Sequence, residues 1–375
     1  MIDLFPLIRP FIFMCDPEKA HNLTIKLLKS GLSPVLATGK DDPILKNRVF
    51  GLDFENPVGL AAGFDKNAEV MAAMLKAGFG FVEAGTVTPF PQEGNPLPRL
   101  FRLKEDQAVI NRFGFNNDGL NLFKENLRGF MADRQELTNK GGILGANVGA
   151  NKDAEDRTAD YVTLIENLYG LADYFTVNIS SPNTPGLRAL QSKAALEDLV
   201  SRVMAARDKA HSLYQQENVP ENTSKNIPPM PVLVKIAPDL LEQDKEDIAT
   251  VAAASQIDGL IVSNTTIERF DDLKSDHKAE GGGLSGRPLF EKSTQTLSDI
   301  YRLTEGKIPL VGVGGIASGQ DAYRKIRAGA SLVQVYSMLV YKGPGLVTRI
   351  KRELTDLLKA DGFTSVAEAI GADHR

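Results

Sequence analysis

The run Asn178-Ile179-Ser180-Ser181-Pro182-Asn183-Thr184-Pro185-Gly186 sets hydroxyls and carboxamides side by side, directly after the apolar Tyr174-Phe175-Thr176-Val177. An aromatic, β-branched run that turns into Ser, Asn, Pro and Gly reads as a strand opening into a rigid loop. Taken alone, such a loop is a turn whose Asn and Ser side chains cap their own backbone. Its chemistry would be that of a hydroxyl beside amides that both donate and accept, and a serine serves as a base only where its surroundings take up the proton and stabilise charge.

Other residues of this kind recur along the chain. Lys235 interrupts the apolar Val232-Leu233-Val234, a costly place for an ammonium unless it is paired or functional. There it suits negative charge on a bound ring, although a lysine can also snorkel to solvent. Lys66, after Gly63-Phe64-Asp65, suits a carboxylate or simply its neighbour Asp65. Asn111, Asn116, Asn117, Asn147, Asn178, Asn183 and Asn264 all fall near the ends of strand-like runs. Each is a turn former by itself, but together they match the amide edges of a pyrimidine or flavin ring. Gly314-Gly315 and Tyr336-Ser337 end two late runs, where glycine lets backbone N–H groups approach a phosphate. Gly312-Val313-Gly314-Gly315 departs from the G-x-G-x-x-G spacing, so a dinucleotide fold is disfavoured.

The elements that must position these residues alternate. Apolar runs at 57–63, 81–87, 143–149, 174–178, 231–237, 259–265, 309–315 and 331–337 are followed by helical patterns at 65–77, 119–131, 154–170, 193–214, 244–254, 288–303, 319–328 and after Gly345. Eight such units predict an α/β fold, a (β/α)8 TIM barrel, over a doubly wound sheet. Small hairpins are expected within 44–54 and across 104–107. Residues 215–229 read as a polar insertion, and 268–280 as a long loop ending at Gly281-Gly282-Gly283-Leu284-Ser285-Gly286. In such a barrel, chemistry gathers at the C-terminal strand ends, which would bring Lys66, Thr86, Asn147, Asn178, Lys235, Asn264, Gly315 and Ser337 to one mouth.

Composition bounds the function. The chain has 375 residues, 42% of them hydrophobic, and a formal charge of −5, which argues against a general nucleic-acid binder. A single cysteine, Cys15, excludes an internal disulfide framework, a Cys-ligated metal site and a cysteine nucleophile outside the N-terminus. His21, His211, His277 and His374 are scattered, so no metal site is expected. The N-terminal apolar residues are too few and too interrupted by Pro6, Arg9, Pro10 and Asp16 for a membrane span or signal peptide. Two short helices joined near Asp16 are predicted, either capping a larger domain or lying on a membrane surface.

Six stretches taken together closely resemble the dihydroorotate dehydrogenase family over nearly the whole chain. They are Ala61-Ala62-Gly63-Phe64-Asp65-Lys66-Asn67, Asn111-Arg112-Phe113-Gly114-Phe115-Asn116-Asn117, Val177 to Gly186, Ser263-Asn264-Thr265-Thr266, Gly282-Gly283-Leu284-Ser285-Gly286-Arg287-Pro288 and Val311 to Ile316. Ser181 where class 1 enzymes place a cysteine base, together with the N-terminal helical extension, resembles the quinone-dependent class 2. The resemblance implies an FMN barrel, residues 39–375, that oxidises dihydroorotate to orotate in pyrimidine (UMP) synthesis. Ser181 would remove the C5 proton while hydride passes from C6 to flavin N5, with Thr184 and Phe115 lining a proton path. Lys66, Asn111, Arg112, Phe113, Gly114, Phe115, Asn178, Asn183, Asn264 and Thr265 would hold the substrate. Ala62, Gly63, Lys66, Thr86, Asn147, Asn178, Lys235, Ser263, Gly286, Gly315, Tyr336 and Ser337 would hold FMN. Residues 1–38 would form a quinone tunnel and membrane contact, with His21 and Arg102 at the quinone head group. In a bacterium this implies a peripheral protein on the cytoplasmic face of the inner membrane.

Three other readings stay open at this point. Another flavin barrel, such as a class 1 enzyme or a tRNA dihydrouridine synthase, would use a cysteine, and Cys15 is misplaced for that. A phosphate-binding isomerase without flavin needs carboxylates or histidine at strand ends, which are mostly Asn here. A non-enzymatic barrel gives no reason for Ser181, Lys66 and Lys235 to coincide, and a colourless purified protein would favour one of the last two.

Overall fold

The computed structural model describes residues 5–31, 39–138, 142–218 and 227–375. Two helices, α1 (Phe5–Met14) and α2 (Pro17–Lys29), lead the chain, and the antiparallel hairpin β1 (Asn47–Val49) and β2 (Leu52–Phe54) follows. The central elements then run β3 (Val58–Leu60), α3 (Met71–Lys76), β4 (Phe81–Val87), β5 (Leu100–Leu103), β6 (Ala108–Asn111) and α4 (Gly119–Thr138). After them come β7 (Ile143–Val148), α5 (Arg157–Leu168), β8 (Tyr174–Asn178), α6 (Lys193–Asn218), β9 (Val232–Ile236) and α7 (Glu242–Ala254). The chain continues with β10 (Gly259–Val262), β11 (Gly283–Gly286), α8 (Phe290–Leu303), β12 (Leu310–Val313), α9 (Gly319–Arg327) and β13 (Ala330–Val335). It closes with α10 (Ser337–Lys342), α11 (Leu346–Ala360) and α12 (Val366–Ala369).

Eight of these strands close into a parallel barrel in the order β3-β4-β7-β8-β9-β10-β12-β13, the arrangement expected of the eight sequence repeats. The strands are apolar on both faces because one side packs inside the barrel and the other meets the helices. Val82, Leu144, Phe175, Val234 and Leu260 are thus all buried. At the N-terminal end the β1–β2 hairpin plugs the barrel: Val49 and Phe54 pack with Phe81, Tyr174, Leu233, Ile261, Val311 and Leu332. Phe54 and Phe81 meet edge to face at 5.4 Å. Burying each such side chain contributes about 1.5–3 kcal/mol, so this end is a closed floor and the opposite end is left for ligands.

Two expectations need correction. The helix read from residue 65 begins only at Met71, because the Asp65 carboxylate accepts the backbone N–H of Glu69 at 2.8 Å and of Val70 at 2.7 Å and holds the chain as a loop. The glycine-rich end of the long loop is strand β11, which pairs antiparallel with β6 and completes a β5-β6-β11 sheet. Glycine is a poor strand former, and the pairing is decided by a partner distant in sequence.

The N-terminal helices meet near Asp16, whose side chain caps α2 by accepting from Lys19 N at 2.9 Å. No side chain of α1 is buried, and Leu7, Phe11 and Met14 are 69%, 70% and 83% exposed. Polar contacts pin the pair to the barrel: Glu18 to Arg99 at 2.7 Å, and Arg102 to the Cys15 carbonyl at 2.9 Å. The predicted boundary between 38 and 39 abuts residues 32–38, which lie outside the described residues, as do 219–226 of the predicted insertion.

Candidate active site

One cavity occupies the barrel mouth and extends under the N-terminal helices, lined at one end by Ser181, Lys235 and Gly315 and at the other by His21, Thr24 and Leu28. Barrel closure brings together side chains that the sequence holds far apart. Thr86 Oγ1 donates to Asn147 Oδ1 at 2.5 Å, and Asn178 Nδ2 donates to Thr86 Oγ1 at 2.9 Å. Asn264 Nδ2 donates to Ser180 Oγ at 3.0 Å and to Asn178 Oδ1 at 3.3 Å. Asn183 Nδ2 reaches Asn111 Oδ1 at 3.2 Å, which ties the β8 loop to the end of β6. These residues do cap and turn, but they do so around one space.

Ser181 is buried, and its Oγ accepts the backbone N–H of Asn183 at 3.2 Å. The loop that carries it is braced by Arg188, which donates to the Ser180 carbonyl at 3.0 Å and the Thr265 carbonyl at 2.9 Å and pairs with Asp239 at 2.9 Å. Nearby, Thr184 Oγ1 and Thr265 Oγ1 are buried without a hydrogen-bond partner among the described residues. Such orphaned hydroxyls mark places where a ligand or water completes the site.

Two lysines supply positive charge. Lys66 Nζ stands 4.5 Å from the centroid of the Phe113 ring, and burial pulls its ammonium down to about 8, with Glu18 opposing. Burial likewise lowers Lys235, against the pull of Glu83. An anion arriving at either lysine relieves that desolvation penalty and favours the protonated form.

The far wall suits a phosphate. Gly314 and Gly315 have φ of 111° and 73°, and a Cβ on Gly315 would lie 2.6 Å from Phe290 Cβ, so only glycine fits. Ser337 Oγ donates to Ser285 Oγ at 2.8 Å at the start of α10. Ala62, Gly63, Ser263, Gly286 and Tyr336 line the same cavity, as do Phe113, Gly114 and Phe115 on the opposite side. The residues present therefore fit a flat heterocycle with a phosphate tail: a glycine cradle, two lysines, and polar atoms of Asn116, Thr265 and Gln334 that have no hydrogen-bond partner among the described residues, all lining one cavity.

Toward the N-terminal helices, His21 packs edge to face on Phe64 at 5.4 Å, and Phe64 on Tyr336 at 5.7 Å. Burial, and secondarily Lys66, pushes the His21 imidazole down to about 3. The ring is therefore neutral at physiological pH. Arg102, its neighbour in the wall, lies over Phe13 at 5.0 Å.

Three predicted site residues, Arg112, Asn147 and Thr184, stand outside the cavity lining. Arg112 instead donates to Glu280 at 2.8 Å and stacks over Phe101 at 4.6 Å, bracing the β5-β6-β11 sheet. Asn147 is fully buried one layer behind Thr86 and Asn178. Sequence reasoning missed Gln334 and Ser285, which line the cavity, and Glu83, which lies beneath it. The signal for Glu83 was present, because a carboxylate inside an apolar strand is as costly as Lys235.

Comparison with known proteins places the chain. The family model for dihydroorotate dehydrogenase matches residues 44–358. A dihydroorotate dehydrogenase (quinone) from Xanthobacter autotrophicus is 54% identical over 374 residues, covering 100% of both chains. The mouse mitochondrial dihydroorotate dehydrogenase (quinone) is 53% identical, covering 97% of this chain and 88% of its own. The crystal structure of the Eimeria tenella enzyme in complex with ferulenol superposes with a TM-score of 0.90 at 44% identity, covering 96% of each chain. With a closed eight-stranded barrel, an N-terminal helical pair and relatives of this identity over its full length, the chain belongs to the quinone-dependent branch of the dihydroorotate dehydrogenase family.

Proposed function

We propose that the protein oxidises dihydroorotate to orotate with FMN in the barrel mouth and a membrane quinone as acceptor, as a step of pyrimidine synthesis. The observation that carries this reading is the single cavity that joins Ser181, Lys66 and Lys235 to His21 under the N-terminal helices. FMN, when bound, supplies two-electron acceptance from the substrate and release to the quinone.

Ser181 is assigned as the base that removes the C5 proton. Its oxygen already accepts one N–H, from Asn183, which stabilises negative charge as the proton is transferred onward. The unpartnered Thr184 hydroxyl, with Phe115 beside the cavity, is assigned to the route by which that proton leaves. Lys66 holds the substrate carboxylate, and Asn111, Asn178, Asn183, Asn264 and Thr265 contact the ring. Gly114 and Phe113 close that side. Arg112, bonded to Glu280, acts on substrate through the loop it holds.

FMN is assigned to Ala62, Gly63, Thr86, Asn178, Lys235, Ser263, Gly286, Gly315, Tyr336 and Ser337, with Asn147 orienting the amides from behind. Lys66 lies between the two ligands. The neutral His21 and the cationic Arg102 offer hydrogen bonds to a quinone carbonyl.

Residues 1–38 act as the membrane-facing unit and 39–375 as the catalytic barrel. Among the described residues no helix is long and apolar enough to cross a membrane. The exposed Leu7, Ile8, Phe11, Met14, Leu23 and Leu27 suit interfacial docking on the cytoplasmic face of a bacterial inner membrane.

The test is anaerobic. Dihydroorotate should bleach the flavin of the purified protein, and a quinone, but neither fumarate nor NAD, should restore the colour. Reoxidation by fumarate or NAD would reject the acceptor. A protein that holds no FMN even after its addition would reject the whole reading.

A further inference from the structure

Glu83 is the only carboxylate among the described residues of the barrel strands that is fully buried, and its surroundings are specific. Its Oε1 accepts from Asn147 Nδ2 at 2.7 Å. Its Oε2 accepts from Gln334 Nε2 at 2.9 Å, Thr176 Oγ1 at 3.0 Å and Tyr174 OH at 3.2 Å. Donors on four residues from three other strands converge on the two oxygens, the arrangement of an ionised carboxylate, which accepts only.

An acceptor-only group dictates the orientation of every amide bonded to it. Asn147 must give its NH2 to Glu83, so its Oδ1 faces Thr86 and Asn178. Asn178 then spends its Nδ2 on that pair and turns Oδ1 toward Ser180 and Asn264. Asn264 gives Nδ2 to Asn178 and Ser180, which leaves its Oδ1 to accept the N–H of Thr265 at 2.7 Å. Gln334, also giving its Nε2 to Glu83, leaves Oε1 without a hydrogen-bond partner among the described residues, in a side chain that is 1% exposed and lines the cavity. A chain of one-way hydrogen bonds thus runs from Glu83 to the loops that carry Ser181 and Thr265.

We propose that Glu83 is a positioning residue for the flavin: it fixes which polar edge Asn178 and Gln334 present to the ring and places a hydrogen-bonded carboxylate beneath it, opposite Lys235. The proposal rests on the assignment of FMN to this cavity. A buried anion under the ring opposes the addition of electrons, so Glu83 holds the flavin potential down while Lys235 raises it. Replacement by glutamine removes the charge and allows the neighbouring amides to turn.

The test compares Glu83→Gln and Glu83→Asp with the wild-type holoenzyme by flavin absorption spectrum, FMN affinity and redox titration, all at one fixed pH. Glu83→Gln should favour flavin reduction by about tenfold or more, equivalent to about 30 mV for two electrons, with a perturbed spectrum. Glu83→Asp should keep the wild-type potential. Should Glu83→Gln fail to hold FMN, retention by Glu83→Asp supports the proposal. Equal loss in both, or a flavin-loaded Glu83→Gln with unchanged potential and spectrum, overturns it. A wild-type protein that takes up no FMN instead removes the underlying assignment, which the variants do not test.

Discussion

The backbone N–H of Asn183 donates to Ser181 Oγ at 3.2 Å, so the loop that carries the proposed base also stabilises it. That contact costs the serine no proton and survives as charge builds on its oxygen. Ser181→Ala should retain FMN but slow flavin reduction by dihydroorotate by about 10²–10⁴-fold near neutral pH, the range contributed by a positioned base. Rapid-mixing spectroscopy of the flavin absorption is a direct measure. An unimpaired rate removes Ser181 from its role.

Lys66 should set the pH dependence of substrate binding. Burial holds its ammonium down at about 8, so it is charged below that pH and loses its proton above it. KM for dihydroorotate should therefore rise as pH passes about 8, and the bound carboxylate should move that limb upward. Lys66→Met should raise KM by about 10–150-fold, from the roughly 1.5–3 kcal/mol of a hydrogen bond to a charged group. It should also abolish that limb. A Lys66→Met enzyme with an unchanged KM–pH profile counts against the assignment.

Quinone and dihydroorotate turnover should separate. His21→Ala removes a neutral hydrogen bond of about 0.5–1.5 kcal/mol, so the KM for quinone should rise about 2–10-fold while anaerobic flavin reduction is unaffected. Deleting residues 1–38 should weaken quinone turnover and liposome binding more than the dihydroorotate half-reaction. Equal loss of both activities would make the segment a structural cap only.

His21 should also make the fold acid-sensitive. Its folded value of about 3 lies below the ordinary 6.5 of an unfolded histidine, so between those values the unfolded chain binds a proton that the native ring refuses. The resulting loss of stability begins as pH falls through 6.5 and is complete below about 3. His21→Phe, which keeps an aromatic ring against Phe64, should flatten that part of the thermal-stability profile. Asp65, raised by burial to about 6, works in the opposite direction between 3.8 and 6 and serves as an internal comparison, because it gives stability that is lost as pH rises.

The sequence by itself determined the eight strand–helix units and the loop ends at which Lys66, Asn178, Ser181, Lys235 and Gly315 stand. Strand and helix patterns are local, and the rule that places chemistry at C-terminal strand ends converts an order along the chain into a ring. Only the tertiary structure decided what those residues touch. Gln334 donates to Glu83 across 251 positions, and Gly283 pairs with Asn111 from a glycine run with no strand signal of its own. Asn147 withdrew behind Thr86, and Arg112 turned to Glu280, because the direction of a side chain depends on partners brought by barrel closure. Hydrogen bonds and buried charges are settled by proximity in space, and the polarity that Glu83 imposes on the asparagines exists only once the barrel is closed.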